Sequence, residues 1–253
     1  MAKNVAKKEE TAIVSIERPE WMNDDNSRGQ EGVGIDDLTI PRLSIIQDLS
    51  PQRKKNDPAY IEGADSGMLF NTVSNALYGE SVMFVPCFYR KEWVIWKSQN
   101  SGGGFCGAFG SKAEAEAEFQ SEGYDDKVDK KGDPEYEIVD TGQQFGILVH
   151  PDGTTEDIVI SLAKSKRKVD RQFNTLIKMG GGDRFSRIYK ISAVADQNAA
   201  GQDYFNFGVS HMGYVNEEIY RKGEAMYEAI SSGQRDVVRD TDSPAKPADE
   251  AEY

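Results

Sequence analysis

Tyr78–Lys97 reads YGESVMFVPCFYRKEWVIWK, and the fold turns on this stretch. It is dense in β-branched and aromatic residues, which suit a pleated, half-buried surface. It is therefore the strongest strand candidate in the chain. Pro86 interrupts it, and a proline inside a strand belongs at an edge or a bulge. Side chains alternate between the two faces of a strand. One face then carries Tyr89, Lys91, Trp93 and Lys97. The other carries Phe84, Phe88, Val94 and Trp96 and reads as core. A one-residue shift at Pro86 would swap the two sets.

Working outward, GMLFNT precedes this run and the glycine loop SGGGFCGAFG follows it. Ser111–Phe119 reads as a short helix, with Ser111 as cap and Glu114 at capping-box spacing. Strand patterns return in EIVDTGQQFGILVH and TTEDIVISLAK, joined by a PDG turn. Lys164–Met179 has helical periodicity, with Val169, Phe173, Leu176 and Ile177 on one side. SRIYKISAV and DYFNFGVS form a hairpin around DQNAAGQ. Asn216 caps a final helix whose buried side holds Ile219, Tyr220, Met226, Tyr227 and Ile230. The predicted class is mainly β (α+β): an OB-fold-like β-barrel core with short helical insertions, or else a β-sandwich. The predicted organisation is a flexible arm over 1–35, a core over 36–231 and a disordered acidic tail over 232–253.

At 253 residues and 38% hydrophobic, the chain can bury one substantial core. No apolar run reaches the length of a membrane span, and the N-terminus lacks the apolar region of a signal peptide. A cytoplasmic protein follows. Cys87 and Cys106 are then expected as reduced thiols.

The formal net charge is -13, which argues against general polyanion binding unless charge is segregated. It is segregated. Residues 114–140 hold eleven acids against three lysines, whereas Ser161–Lys190 holds nine Lys or Arg against Asp170 and Asp183. Lys164, Lys166, Arg167, Lys168 and Arg171 fall within eight residues, and Arg184 and Arg187 follow. Cations at this density neutralise successive phosphates; a solvated helix face is the plain alternative. The aromatics interleaved with Lys91 and Lys97 suit a single-strand platform, on which rings stack with bases. Tyr189, alternating with Arg187, could extend it or belong to the core.

Enzyme patterns are poor. GGGFCGAFGSK is not a phosphate-binding P-loop, because its serine precedes the lysine. Pro151–Asp152 has no acid-x-Lys on the next strand, and His150 and His211 have no nucleophile partner signature. No catalytic residue, metal site or cofactor is assigned. The terminus DEAEY places Asp249, Glu250 and Glu252 beside Tyr253, a combination able to dock on a basic pocket.

The segments DLTIPRLSIIQDLSPQ, GMLFNT, YGESVMFVPCFYRKEWVIW and GGGF, spanning about residues 36 to 110, resemble single-stranded DNA-binding proteins of tailed bacteriophages. Similarity is looser through SRIYKISAV to GYV. The resemblance implies an OB-fold core, sequence-independent binding of single-stranded DNA, and contact with replication or recombination proteins through the C-terminal tail. The resulting expectation is a non-enzymatic DNA-binding protein. Its tail competes with DNA for one cationic groove, and it has no membrane partner and is compatible with assembly as a homo-oligomer. The alternative is a virion structural or protein-interaction module, with the basic stretch on an acidic partner.

Overall fold

The structure is a computed structural model and describes residues 29, 31–32, 40–98, 101–198 and 201–233. Its contacts divide the chain into residues 1–38 and 39–253. The second unit carries β1 (Leu43–Ile45), β2 (Leu69–Asn71), β3 (Leu77–Gly79), β4 (Ser81–Lys97), β5 (Gly104–Phe109), α1 (Lys112–Ser121), β6 (Tyr136–Val149), β7 (Thr155–Ala163), α2 (Arg167–Gly180), β8 (Arg187–Gln197), β9 (Asp203–Tyr214) and α3 (Glu217–Ser231). The predicted N-terminal arm and acidic tail lie almost wholly outside the described residues. No helix among those described is long and apolar enough to cross a membrane.

The chain is mainly β, and its described residues form an α+β arrangement of two antiparallel sheets and three α-helices. β4 organises the larger sheet, in the order β7-β6-β4-β8-β9 with β5 also on β4. β6 pairs with it from Met83↔Val149 to Lys97↔Tyr136. Its other edge is shared: β8 takes Ser81–Phe84 and β5 takes Trp93–Lys97. The expected barrel is not closed, because β7 and β9 end the ladder instead of pairing with each other.

Residues 40–47 span that opening. Val159 in β7 donates to Pro41 O at 2.9 Å. At the other edge the Gln47 side-chain amide behaves like a strand residue. Its Nε2 donates to Phe205 O, and its Oε1 accepts from Phe205 N, both at 2.8 Å. An exposed strand edge is a template for unwanted pairing, and here a side chain caps part of it.

Pro86 decides the faces of β4. It pairs with Gly146, and the next pair is Phe88↔Phe145, so Cys87 bulges out of register. An extra residue inverts the alternation beyond it. Phe84 therefore shares a face with Tyr89 and not with Phe88, which corrects the expected grouping. Phe84 lies 6.2 Å from the Phe173 ring of α2, whereas Phe88 meets Phe145 and Tyr227, each at 6.1 Å, toward α3.

Each face holds its own core. On one, Leu43, Leu69, Phe84, Ile160, Phe173 and Ile191 pack beneath α2. On the other, Val85, Cys87, Ile147, Phe185 and Met226 pack beneath α3. Each such side chain contributes about 1.5–3 kcal/mol on burial. The helices start as their sequences predict. Ser111 and Glu114 form a reciprocal capping box, and Asn216 Oδ1 accepts from Ile219 N at 2.9 Å. Tyr227 departs from expectation: it is 44% exposed, on the flank of α3 and not beneath it.

Candidate nucleic-acid interface

The site grows from the junction of α2 with β4 and β6. Asp170 is fully buried in the first turn of α2. A buried carboxylate is costly unless paired, and this one has several partners. Arg167 forms an ion pair with it, Tyr89 Oη donates to it at 3.0 Å, and Gln144 Nε2 donates at 2.8 Å. Arg184 donates to Gln144 and, at 2.8 Å, to Asn174. Its guanidinium lies 5.4 Å from the Tyr89 ring centroid. Burial pushes the Arg184 pKa down to about 10. Burial also acts to lower Arg167, but the Tyr89 hydroxyl, Asp170 and Asp140 outweigh it and hold this arginine above its ordinary value.

Gly142 makes the junction possible. A Cβ there would lie 2.6 Å from both Arg167 Nη1 and the Asp170 carboxylate. Only a residue without a side chain lets the network sit on the strand.

Beyond the junction the same face of β4 presents cations against rings. Lys91 Nζ lies 4.7 Å from the Trp93 centroid and 3.5 Å from Asp140, which also pairs with Arg167 at 3.3 Å. Lys97 Nζ lies 5.7 Å from the Tyr136 ring. Tyr136 stacks on Tyr124 at 4.1 Å and 11°, with Lys127 close to both rings. At the start of α2, Lys164, Lys168 and Arg171 are exposed and Lys166 is half-buried. Lys164 is ion-paired with Glu137 at 2.6 Å, and Lys166 lies 5.5 Å from the Phe207 ring.

The predicted residues therefore divide. Tyr89, Lys91, Trp93 and Lys97 do share a face, whereas Lys164 reaches Glu137, opposite Trp96, and Lys166 lies over Phe207 of β9. Arg167 and Arg184 are turned inward and hold α2 to the sheet, because their charges answer the buried Asp170. Tyr189 is corrected outright. It is 1% exposed and packs edge-on against Phe173 at 5.0 Å, so its ring cannot take a base. The accessible ring beside Arg187 is Tyr214, 72% exposed, with the guanidinium 5.0 Å from its centroid. Arg187 also donates to Gly180 O, which ties it to the C-terminus of α2.

Tyr214, Tyr136 and Tyr124 escaped the sequence reading. Tyr136 sits opposite Lys97, a register that no local pattern reveals. Tyr214 follows a bulge between Ile188 and Tyr189 on the β8–β9 ladder, which defeats simple alternation. The tail residues Asp249, Glu250, Glu252 and Tyr253 lie outside the described residues.

An open, mainly β scaffold with cation-backed rings on one face is the class that fold and site define. The Pam3 phage gp34-like protein model matches residues 7–236, and the chain belongs to that bacteriophage family. No curated protein and no solved structure matches it significantly.

Proposed function

We propose that this phage protein binds single-stranded DNA without sequence preference and without catalysis. The observation that carries the reading is the run of cation–ring contacts on one face of β4 and β6, from Lys91–Trp93 through Lys97–Tyr136 to Lys127–Tyr124. Rings offer stacking surfaces to any base, and ammonium groups beside them meet the phosphates. Lys164, Lys166, Lys168 and Arg171 extend the positive surface along the first turns of α2. The family's phage origin fits a role in DNA replication or recombination. The acidic C-terminal segment competes for this surface when DNA is absent and reaches replication or recombination proteins when DNA is bound.

The test is tryptophan fluorescence during titration with unlabelled oligo-dT, at low and moderate salt, against duplex DNA of equal length. Saturable quenching by the single strand, weakened by salt and weak for duplex, is expected. No quenching together with no shift in a parallel gel assay overturns the reading. It would favour the protein-interaction alternative, in which charge reversal at Lys166 and Lys168 abolishes assembly. Deleting residues 232–253 should tighten DNA binding at low salt; unchanged affinity would exclude tail competition.

A further inference from the structure

Where α3 packs near the bulge of β4 the chemistry is different, and Tyr89 borders this region as well as the junction with α2. A cavity of about 510 Å³ opens where the β4 bulge, the 3-10 turn Arg184–Ser186 and α3 meet. Four rings line it, Phe88, Tyr89, Phe185 and Tyr227, and Phe88 and Phe185 each lie 6.1 Å from Tyr227. Three carboxylates line it as well, Asp183, Glu224 and Glu228. Glu224 and Glu228 stand one turn apart on α3, on either side of the exposed Tyr227. Arg184 also lines it, with a terminal nitrogen engaged by Gln144 and Asn174.

Phosphates would meet repulsion at three acids here, so the cavity does not belong to a DNA path. Ring faces attract cations electrostatically, and carboxylates at the rim add to that attraction. We propose that this cavity is a docking site for a basic peptide segment of a partner protein, which inserts an arginine side chain. The guanidinium lies over Tyr227 between Glu224, Glu228 and Asp183. A basic protein can then bind at α3 while the lysines of β4 and α2 remain free, with Tyr89 bordering both sites. The inference stands apart from the DNA reading.

The experiment is an amide-shift titration of the full-length, ¹⁵N-labelled protein with Ac-Gly-Arg-Gly-NH₂, and with its citrulline counterpart, which keeps the shape and loses the charge. The expected result is saturable shifts at residues 182–185 and 224–228 with the arginine peptide and none with citrulline. In Glu224→Gln/Glu228→Gln, and independently in Tyr227→Leu, the peptide Kd should rise at least tenfold while oligo-dT affinity stays unchanged. Shifts confined to residues beyond 233, equal responses to the two peptides, or an unaltered Kd in both variants would overturn the proposal. Loss of oligo-dT binding in the parent protein would leave it standing.

Discussion

Tyr89 and Asp170 are 81 residues apart in sequence, yet the Tyr89 hydroxyl donates to the buried Asp170 carboxylate at 3.0 Å. This contact ties the middle of β4 to the first turn of α2. It sets where the basic end of that helix stands relative to the rings of the sheet. The junction is the mechanical basis of the candidate interface, and its failure should be measurable as stability.

Asp170→Ala should destabilise the fold by roughly 3–5 kcal/mol, because Arg184 would lose its buried counter-charge and Arg167 would keep only Asp140. Urea unfolding followed by circular dichroism checks this. A loss below about 1 kcal/mol would show that the network is not holding the helix.

Gly142→Ala should disturb the same junction by adding a methyl group to the strand and removing nothing. The new Cβ would press on Arg167 and Asp170 at 2.6 Å. Forced overpacking costs about 1–3 kcal/mol. The melting temperature of this variant should fall, and combining it with Asp170→Ala should cost less than the sum of the two, since both act on one contact.

Trp93 and Trp96 provide a paired test of the DNA reading. Trp93 stands on the lysine-bearing face, whereas Trp96 packs edge-on against Phe105 at 5.7 Å on the other. Trp93→Ala should weaken oligo-dT binding by about 1–3 kcal/mol and remove most of the quenching. Trp96→Ala should change affinity less than twofold. The reverse order would place the groove on the wrong face.

Salt dependence should separate the exposed from the buried cations. Lys168→Ala/Arg171→Ala removes two exposed charges and should reduce the slope of log K against log salt by about 1.4, at about 0.7 per phosphate contact on a single strand. Tyr214→Ala should lower affinity with little change of slope, because a ring carries no charge.

Alkaline pH should expose the tyrosines. Burial, with help from the Glu156 hydrogen bond, raises Tyr78 well above the ordinary value, and burial also raises Tyr89. Above about pH 10 the unfolded chain releases these protons while the folded chain keeps them, so stability falls as pH rises. Tyr78→Phe should cost about 1 kcal/mol at pH 7, for one lost hydrogen bond. It should also flatten the decline of melting temperature between pH 10 and 11. An unchanged decline would assign the alkaline loss elsewhere.

Much of the scaffold is legible in the residues. The apolar side of α2 (Val169, Phe173, Ile177), the Ser111 box and the Asn216 cap follow from short-range spacing, because a helix repeats within four residues. The density of Val, Ile and aromatic residues marks the strands for the same local reason. The grouping of Tyr89, Lys91, Trp93 and Lys97 also follows from alternation alone, since no bulge separates them on β4. Phe84 was misplaced because the bulge at Cys87 reverses alternation, and proline marks such an irregularity without fixing its size.

The mainly β class, the helix starts and the segregation of charge are all properties of residues near one another in the chain, and they can be read without coordinates. Which charges face outward depends on long-range packing. Arg167 and Arg184 look identical in sequence to Lys168 and Arg171, yet they turn inward because a buried carboxylate on α2 and the amides of Gln144 and Asn174 satisfy them. Tyr189 and Tyr214 exchange roles for a similar reason: one meets Phe173 across the core, and the other stands at the open end of the hairpin. Burial depends on contacts between residues distant along the chain, and a local pattern carries no record of them.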